Sequence, residues 1–323
     1  MVDFGADGSY GKSSKKLKEH YGIEVPISAI RITTHNHGAA MAEARDLRLE
    51  SKLPKGGVTT VIGQTDGSMV PVVTIKPIEN EESPKDGRKR RSLGWEEARL
   101  SLARDIDKVT PYYAATMRSV EESVHLLVDC LIKAGAGELT MLHCMGDGAT
   151  WIVLRIMKHL ETLGCHVTFL LDFYHLGEYL AEAGEVIRPD LKRTWLTKQQ
   201  ERAKENRIDE VLAELAAHCE SHDVALCCRT RGIGDRHECP AATCKRYIET
   251  RLSQLDYKGA IEAGLPIGTG EVEGGHRSVI QPRIKPSGAW WLVSSIEKIL
   301  ALRTTRANNE WEPYWTQLRQ AAA

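Results

Sequence analysis

Acidic residues stand at three widely separated points of this chain where secondary structure is expected to begin or end. Asp66 follows an apolar run in Gln64-Thr65-Asp66-Gly67, Asp147 sits between Gly146 and Gly148, and a third acid lies in Thr269-Gly270-Glu271-Val272-Glu273. Carboxylates at the ends of neighbouring strands converge, because the backbone fixes where each side chain starts. Hard oxygen donors of this kind suit Mg²⁺ or Mn²⁺. Two such ions about 3.5–4 Å apart activate a water or 3′-hydroxyl and stabilise the leaving oxygen of a phosphodiester. Taken singly, an Asp-Gly pair is an ordinary turn. The strand placement of Asp66 and Asp147, together with an acid opening a helix further on, favours the chemistry.

Other residues fit the same picture. At helical spacing Glu273, His276 and Arg277 share one face, so a metal-binding carboxylate would stand beside groups that meet a phosphate. A plain ion pair between Glu273 and Arg277 is the alternative. The glycines of residues 264–270 match neither a P-loop nor a dinucleotide fingerprint. Arg283 and Lys285 follow in a broken basic segment and are expected to contact DNA phosphates. Trp290 and Trp291 are expected either to stack on a flipped base or to pack the last helix into the core. Asp172 and His175 form a second tier, either close to the metals or capping the helix that begins near Tyr174. Cys227, Cys228, His237, Cys239 and Cys244 offer soft ligands for a zinc site, although their spacing matches no standard finger.

The elements that must position these groups can be read from periodicity. Ser13 and Ser14 cap a basic run over residues 15–21 that stops at Gly22, and a second helical run spans residues 29–49. The pair has the outline of a helix-turn-helix and equally that of two packing helices. Residues 58–63 and 69–75 read as β-branched strands with Asp66-Gly67-Ser68 as the turn between them. Residues 76–93 form a charged loop containing the basic run 85–91, and residues 98–104 suit a strand or a helix. A helix over 120–135, a strand over 138–144, a helix over 151–163 and a strand over 166–171 follow. Residues 176–223 and 245–263 are helical and interrupt the α/β alternation. A short helix over 271–280 and a long one over 290–307 close the chain. The domains expected are a helical DNA-binding region (1–55), a catalytic core in two pieces (56–175 and 264–323) and a helical insertion (176–263).

Five segments carry a family likeness. They are Thr65-Asp66-Gly67-Ser68-Met69-Val70-Pro71; His143-Cys144-Met145-Gly146-Asp147-Gly148-Ala149-Thr150-Trp151-Ile152; Leu171-Asp172-Phe173-Tyr174-His175-Leu176-Gly177-Glu178-Tyr179-Leu180; Leu265 through Val272-Glu273 to Gln281-Pro282-Arg283-Ile284-Lys285; and Gly288-Ala289-Trp290-Trp291 with Leu302-Arg303, Arg306-Ala307-Asn308, Trp311 and Tyr314-Trp315. In this order they cover most of the chain, which resembles bacterial insertion-sequence DDE transposases, in particular the ISKra-type group. The resemblance implies an α/β fold: a ribonuclease-H-like mixed sheet interrupted by a helical insertion. It implies a metal triad of Asp66, Asp147 and Glu273, the last chosen over Glu271 because the family motif is small-Gly-any-Val-Glu. Thr269 replaces the usual serine of that motif. Double-stranded DNA is the implied substrate, with a homo-oligomer joining two transposon ends. A ribonuclease-H-like nuclease that does not join strands, and a non-catalytic DNA-binding remnant, are the competing readings.

Composition sets outer bounds. The chain has 323 residues, 42% hydrophobic and 27% charged, enough for one large core with attached pieces. With 43 Lys+Arg against 44 Asp+Glu the net charge is −1, so DNA binding must rest on local basic faces and not on overall charge. No apolar run approaches the roughly 20 residues that cross a bilayer. The opening Met1-Val2-Asp3-Phe4-Gly5 lacks the basic and apolar regions of a secretory signal. A cytoplasmic, nucleoid-associated bacterial protein is expected, its eight cysteines mostly buried thiols. If the first pair of helices is a helix-turn-helix, the chain begins close to it and a first supporting helix is expected to be missing.

Overall fold

The computed structural model describes residues 1–46, 52–77, 90–149, 151–221 and 239–321. It is a mixed α/β structure on a five-stranded sheet of order β3-β2-β1-β4-β5, comprising β1 (Thr60–Ile75), β2 (Arg91–Asp105), β3 (Tyr112–Thr116), β4 (Met141–Gly146) and β5 (His166–Leu171). The expected α/β class holds. No helix among the described residues is long and apolar enough to cross a membrane.

The sequence expectation fails most clearly at β1. Asp66-Gly67-Ser68, expected as a turn, runs straight through a single strand of 16 residues. Its antiparallel neighbour β2 is 15 residues long and offers a partner to every residue from Val61 to Ile75, Asp66 lying opposite Leu100. A continuous ladder overrides the local turn preference of Asp-Gly. Residues 98–104, undecided by periodicity, belong to β2 and pair with both β1 and β3.

The chain divides into two compact units. The first comprises residues 1–142, 158–166 and 270–323. Here α1 (Val2–Asp7), α2 (Tyr10–Tyr21) and α3 (Ile27–Asp46) precede the sheet. The cap of α2 is Ser9, earlier than expected, and Ser13 and Ser14 instead lie inside the helix. Gly22 ends it in the left-handed conformation, as read from the sequence. Helix α4 (Val120–Lys133) opens with a reciprocal capping box between Ser119 and Glu122. Val70, Leu100, Leu102, Val272, Ile280, Ile296 and Leu300 share one buried core with Met41 and Ala42 of α3. Residue Glu297 ties this core together. Its carboxylate accepts hydrogen bonds from the Thr116 hydroxyl and the Met117 amide, and lies 3.5 Å from Arg45 and 3.3 Å from Arg118.

The second unit comprises residues 143–157 and 167–269. After a π-type turn over Ile152–Met157, it holds α6 (Phe173–Ile187), α7 (Lys192–Lys204), α8 (Ile208–Ser221), α9 (Pro240–Glu249) and α10 (Tyr257–Glu262); α5 (Lys158–Thr162) belongs to the first unit. Glu214 anchors this unit. It accepts from the Trp195 indole, Lys198, Gln199 and Arg202. Burial opposes ionisation there, but the hydrogen bonds from Arg202, Lys198 and Trp195 win and hold the carboxyl at about 2, below its ordinary 4.5.

A carboxyl depressed in the folded state stabilises fully above its unfolded pKa, and that contribution disappears as pH falls through the folded value. The Glu214 contribution is therefore complete above about pH 4.5 and lost on the way down to about 2. Acid titration of helicity in Glu214→Gln should show a weaker pH dependence in this window than the parent chain; an identical acid limb would contradict the assignment.

Candidate active site

Strand β1 presents Gln64, Asp66 and Ser68 to one face, because alternate residues of a strand point the same way. Each of the three meets a residue of the segment that follows Thr269. The buried Gln64 side-chain oxygen accepts the Val272 amide at 3.0 Å, near the start of α11 (Gly270–Gly275). Asp66 Oδ2 lies 3.4 Å from His276 Nε2. The Ser68 hydroxyl is 3.5 Å from Lys285 Nζ. Helix, π-type turn (His276–Ile280) and basic segment thus lie along the strand, with Glu273 next to the docked Val272. On the opposite face Thr65 is buried and bonds Leu100 and Ser101, so the strand separates a structural side from a polar one.

The two glutamates of the helix have different fates. Glu271 is clamped by Arg104, whose Nε and Nη2 each donate at 2.8 Å. A bidentate guanidinium leaves that carboxylate little capacity for a metal. Glu273 has a half-exposed side chain and only a loose pair with Arg277 at 3.6 Å. His276 does not share their exposed face. Its ring is 4% exposed and turned toward Asp66. The Nε2–Oδ2 distance is within ion-pair range but not in hydrogen-bond geometry, and neither ring nitrogen has another partner among the described residues. The histidine's place one turn after Val272 puts it on the buried face of the segment, with Gly275, Val279 and Ile280, and not on the exposed face expected for it beside Glu273 and Arg277.

The helix lies tight against the sheet at Gly275. A Cβ there would stand 2.8 Å from both Leu100 Cδ2 and Tyr113 Cε1, whereas one at Gly274 would meet open space.

In the second unit Asp147 follows β4 directly, and its side chain accepts the Ala149 amide at 2.8 Å, the local turn the sequence suggested. The helical block holds this loop from behind. The Tyr247 hydroxyl donates to the Asp147 carbonyl at 2.8 Å, and Arg251 Nε and Nη2 donate to the Gly148 carbonyl at 3.3 and 3.0 Å. The Arg251 guanidinium lies 4.1 Å from the centre of the Tyr247 ring, and that ring stacks on Tyr179 at 4.0 Å. Only glycine fits position 148: φ is +76° and a Cβ would lie 2.5 Å from Leu171 and 2.6 Å from Arg251. Neither Tyr247 nor Arg251 was singled out in the sequence, since no motif links them to Asp147.

Asp172 resolves toward its structural reading. Buried, it caps α6 by accepting from the Tyr174 and His175 amides, while Oδ2 takes the Thr269 hydroxyl and amide. His175 faces Glu178 at 3.2 Å and stands edge-on to Tyr179 and Tyr247. His143 is a further brace. Burial lowers its pKa, so the ring is neutral, donating from Nε2 to the Pro266 carbonyl and accepting at Nδ1 from Thr168.

Arg283 is not a surface group. Its Nε donates to the Gly5 carbonyl, and its guanidinium lies 4.8 and 4.6 Å from the Tyr10 and Trp291 ring centres. Burial in this aromatic cage removes it from direct phosphate contact. Arg277 and Lys285 are exposed, as expected. Trp290 is 40% exposed, while Trp291 packs against the core and donates its indole N–H to Ile284.

Among the described residues no three His, Cys, Asp or Glu side chains form a group that could hold a metal ion. Asp66 and Glu273 belong to the first unit and Asp147 to the second. Cys227, Cys228 and His237 lie outside the described residues. Cys239 and Cys244 are buried, and burial pushes the Cys244 thiol up to about 12, the behaviour of an inert core cysteine. No family model matches the chain, and no curated protein is significantly similar to it.

Two substitutions check the close approach of helix and sheet. Gly275→Ala should cost about 1–3 kcal/mol in urea unfolding through overpacking against Leu100 and Tyr113. Gly274→Ala, in open space, should be neutral or gain up to about 1 kcal/mol from helix propensity. Equal effects of the two would mean that the helix does not sit where described. In the other unit, Tyr247→Phe should lower stability by about 1 kcal/mol by leaving the Asp147 carbonyl without its donor.

Proposed function

We propose that this chain is a DDE transposase: Asp66, Asp147 and Glu273 hold two divalent ions, cleave DNA at transposon ends and transfer the freed 3′ strand into target DNA. The observation that carries the reading is the polar face of β1. There Gln64 fixes the helix of Glu273, Arg104 engages Glu271, and Asp66 and Glu273 are left as carboxylates not clamped by a guanidinium. The order of three strands, helix, strand, helix, strand, helical block and acidic helix agrees with a ribonuclease-H-like core carrying an insertion.

The donor set fits Mg²⁺ or Mn²⁺, which prefer carboxylate oxygens and keep several waters. When bound, the ions supply Lewis-acid stabilisation and an activated attacking oxygen. The chain's own residues position and neutralise. His276 presents Nε2 to Asp66 and restricts its rotation, as outer partners of metal ligands do. Tyr247 and Arg251 fix the loop of Asp147 through its backbone, and Oδ1 of its carboxylate accepts the Ala149 amide. Arg277 and Lys285 supply phosphate contacts beside the helix. Joining two DNA ends requires at least two copies of the chain.

The test is a cleavage and strand-transfer assay on labelled transposon-end DNA with Mg²⁺. Asp66→Asn, Asp147→Asn and Glu273→Gln should each lower both steps by about a hundredfold or more while retaining DNA binding. Glu271→Gln should stay within about tenfold, because it removes an ion pair and not a metal ligand. Cleavage without joining would establish a nuclease; full activity of Asp147→Asn would overturn the triad.

A further inference from the structure

A cavity of about 640 Å³ opens in the first unit between the N-terminal helices, the free end of the β1–β2 ribbon and the start of α12 (Val293–Ala307). Its walls include Tyr10, Trp290 and Trp291 on the aromatic side, and Arg31, His35 and Arg91 on the polar side. No acidic residue is among the described residues that line it. Trp95 stands edge-on to Trp290, with ring centres 6.1 Å apart, and both indoles are exposed. Exposed apolar surface of this kind marks binding sites, and here it stands beside Arg31 and Arg91, which make no ion pair among the described residues.

Behind the walls the positive charge continues. Arg283 is 3% exposed, makes no ion pair and leaves Nη2 without a hydrogen bond among the described residues, the Asp7 carboxylate offsetting its charge only through space. The His35 ring bonds the Tyr10 hydroxyl at 2.9 Å. Burial, reinforced by Lys298, Arg31 and Arg283, lowers its pKa to about 4, so the ring is neutral near pH 7 and three cations act on it. Planar aromatic surface beside guanidinium groups suits a ligand with a flat π-face and a phosphate.

We infer that this cavity receives one unpaired nucleotide of a DNA strand, its base against Trp290 and Tyr10 and its phosphate at Arg31 and Arg91. The inference rests on the DNA reading above for the identity of the polymer, but not on the metal triad. It gives the N-terminal helices a role distinct from major-groove readout: they supply Tyr10, Arg31 and His35 to a single-strand pocket. Stacking is tolerant of base identity, so this pocket recognises unpairing rather than sequence.

The experiment compares a blunt duplex with the same duplex carrying a three-nucleotide unpaired 3′ tail, by fluorescence anisotropy in EDTA so that no cleavage intervenes. A 2-aminopurine in the tail reports stacking by quenching. The full chain should bind the tailed DNA about tenfold more tightly than the blunt one, the scale of one base–aromatic stack, with quenched 2-aminopurine. In Trp290→Ala and in Arg31→Gln, both exposed positions, the ratio should fall to within twofold and quenching should be lost. Thermal melts confirm that the variants are folded. A ratio of one in the parent chain, or a tenfold ratio that survives both substitutions, overturns the inference. Because the assay needs no metal, loss of the triad reading leaves this result standing, and loss of the tail preference leaves the triad reading standing.

Discussion

One buried hydrogen bond sets the register of the first unit: the Gln64 side chain accepting the Val272 amide. A helix N-terminus has amide groups without partners of their own, and burying them without an acceptor is costly. Gln64 supplies that acceptor from the strand itself. Once Val272 is placed, the residue one helical turn on, His276, falls opposite Asp66, and the basic segment reaches Ser68. Gly275 lets the helix come close enough for all three contacts, and Arg104 holds Glu271 from the side. The position of Glu273 is therefore the outcome of four neighbours, none of which touches its carboxylate.

The second unit solves a comparable problem by different means. Asp147 lies on a short loop after a strand, where a side chain would otherwise wander. Its own carboxylate shapes the turn, and the helical block grips the backbone through Tyr247 and Arg251. The block thus fixes the backbone of residues 147 and 148. Asp172 contributes in the same way, spending both oxygens on α6 and on Thr269. A carboxylate so fully engaged organises its surroundings, while Asp66 accepts only its neighbour's amide and Glu273 makes only a loose ion pair among the described residues.

Charge is distributed to match. The net charge of −1 conceals a cavity with two arginines and no acid on its described walls, and a guanidinium buried behind it. Placing Arg283 between Tyr10 and Trp291 stabilises it by cation–π contact, with the Asp7 carboxylate acting on it through space but making no ion pair with it. The aromatic residues of the chain's end therefore serve two purposes, Trp291 as core and Trp290 as exposed surface.

Much was legible from residue types and periodicity. The α/β class, strand β5, the helix over 120–133 and its glycine stop, the helical block and the turn at Asp147 all follow from local preferences that tertiary structure left in place. The placement of Asp147 after a strand and of Glu273 near a helix start was also legible, whereas Asp66, expected at a strand end, lies inside β1. What the sequence could not decide were choices between neighbours: turn or strand at Asp66, inside or outside for His276 and Arg283, and clamped or free for Glu271 and Glu273. Each depends on a partner distant in the chain, such as the β2 ladder, Asp66, Tyr10 or Arg104, and no local pattern encodes a contact across 30 to 270 residues. Local propensity proposed the elements; long-range pairing and burial selected which of their side chains stayed available for chemistry.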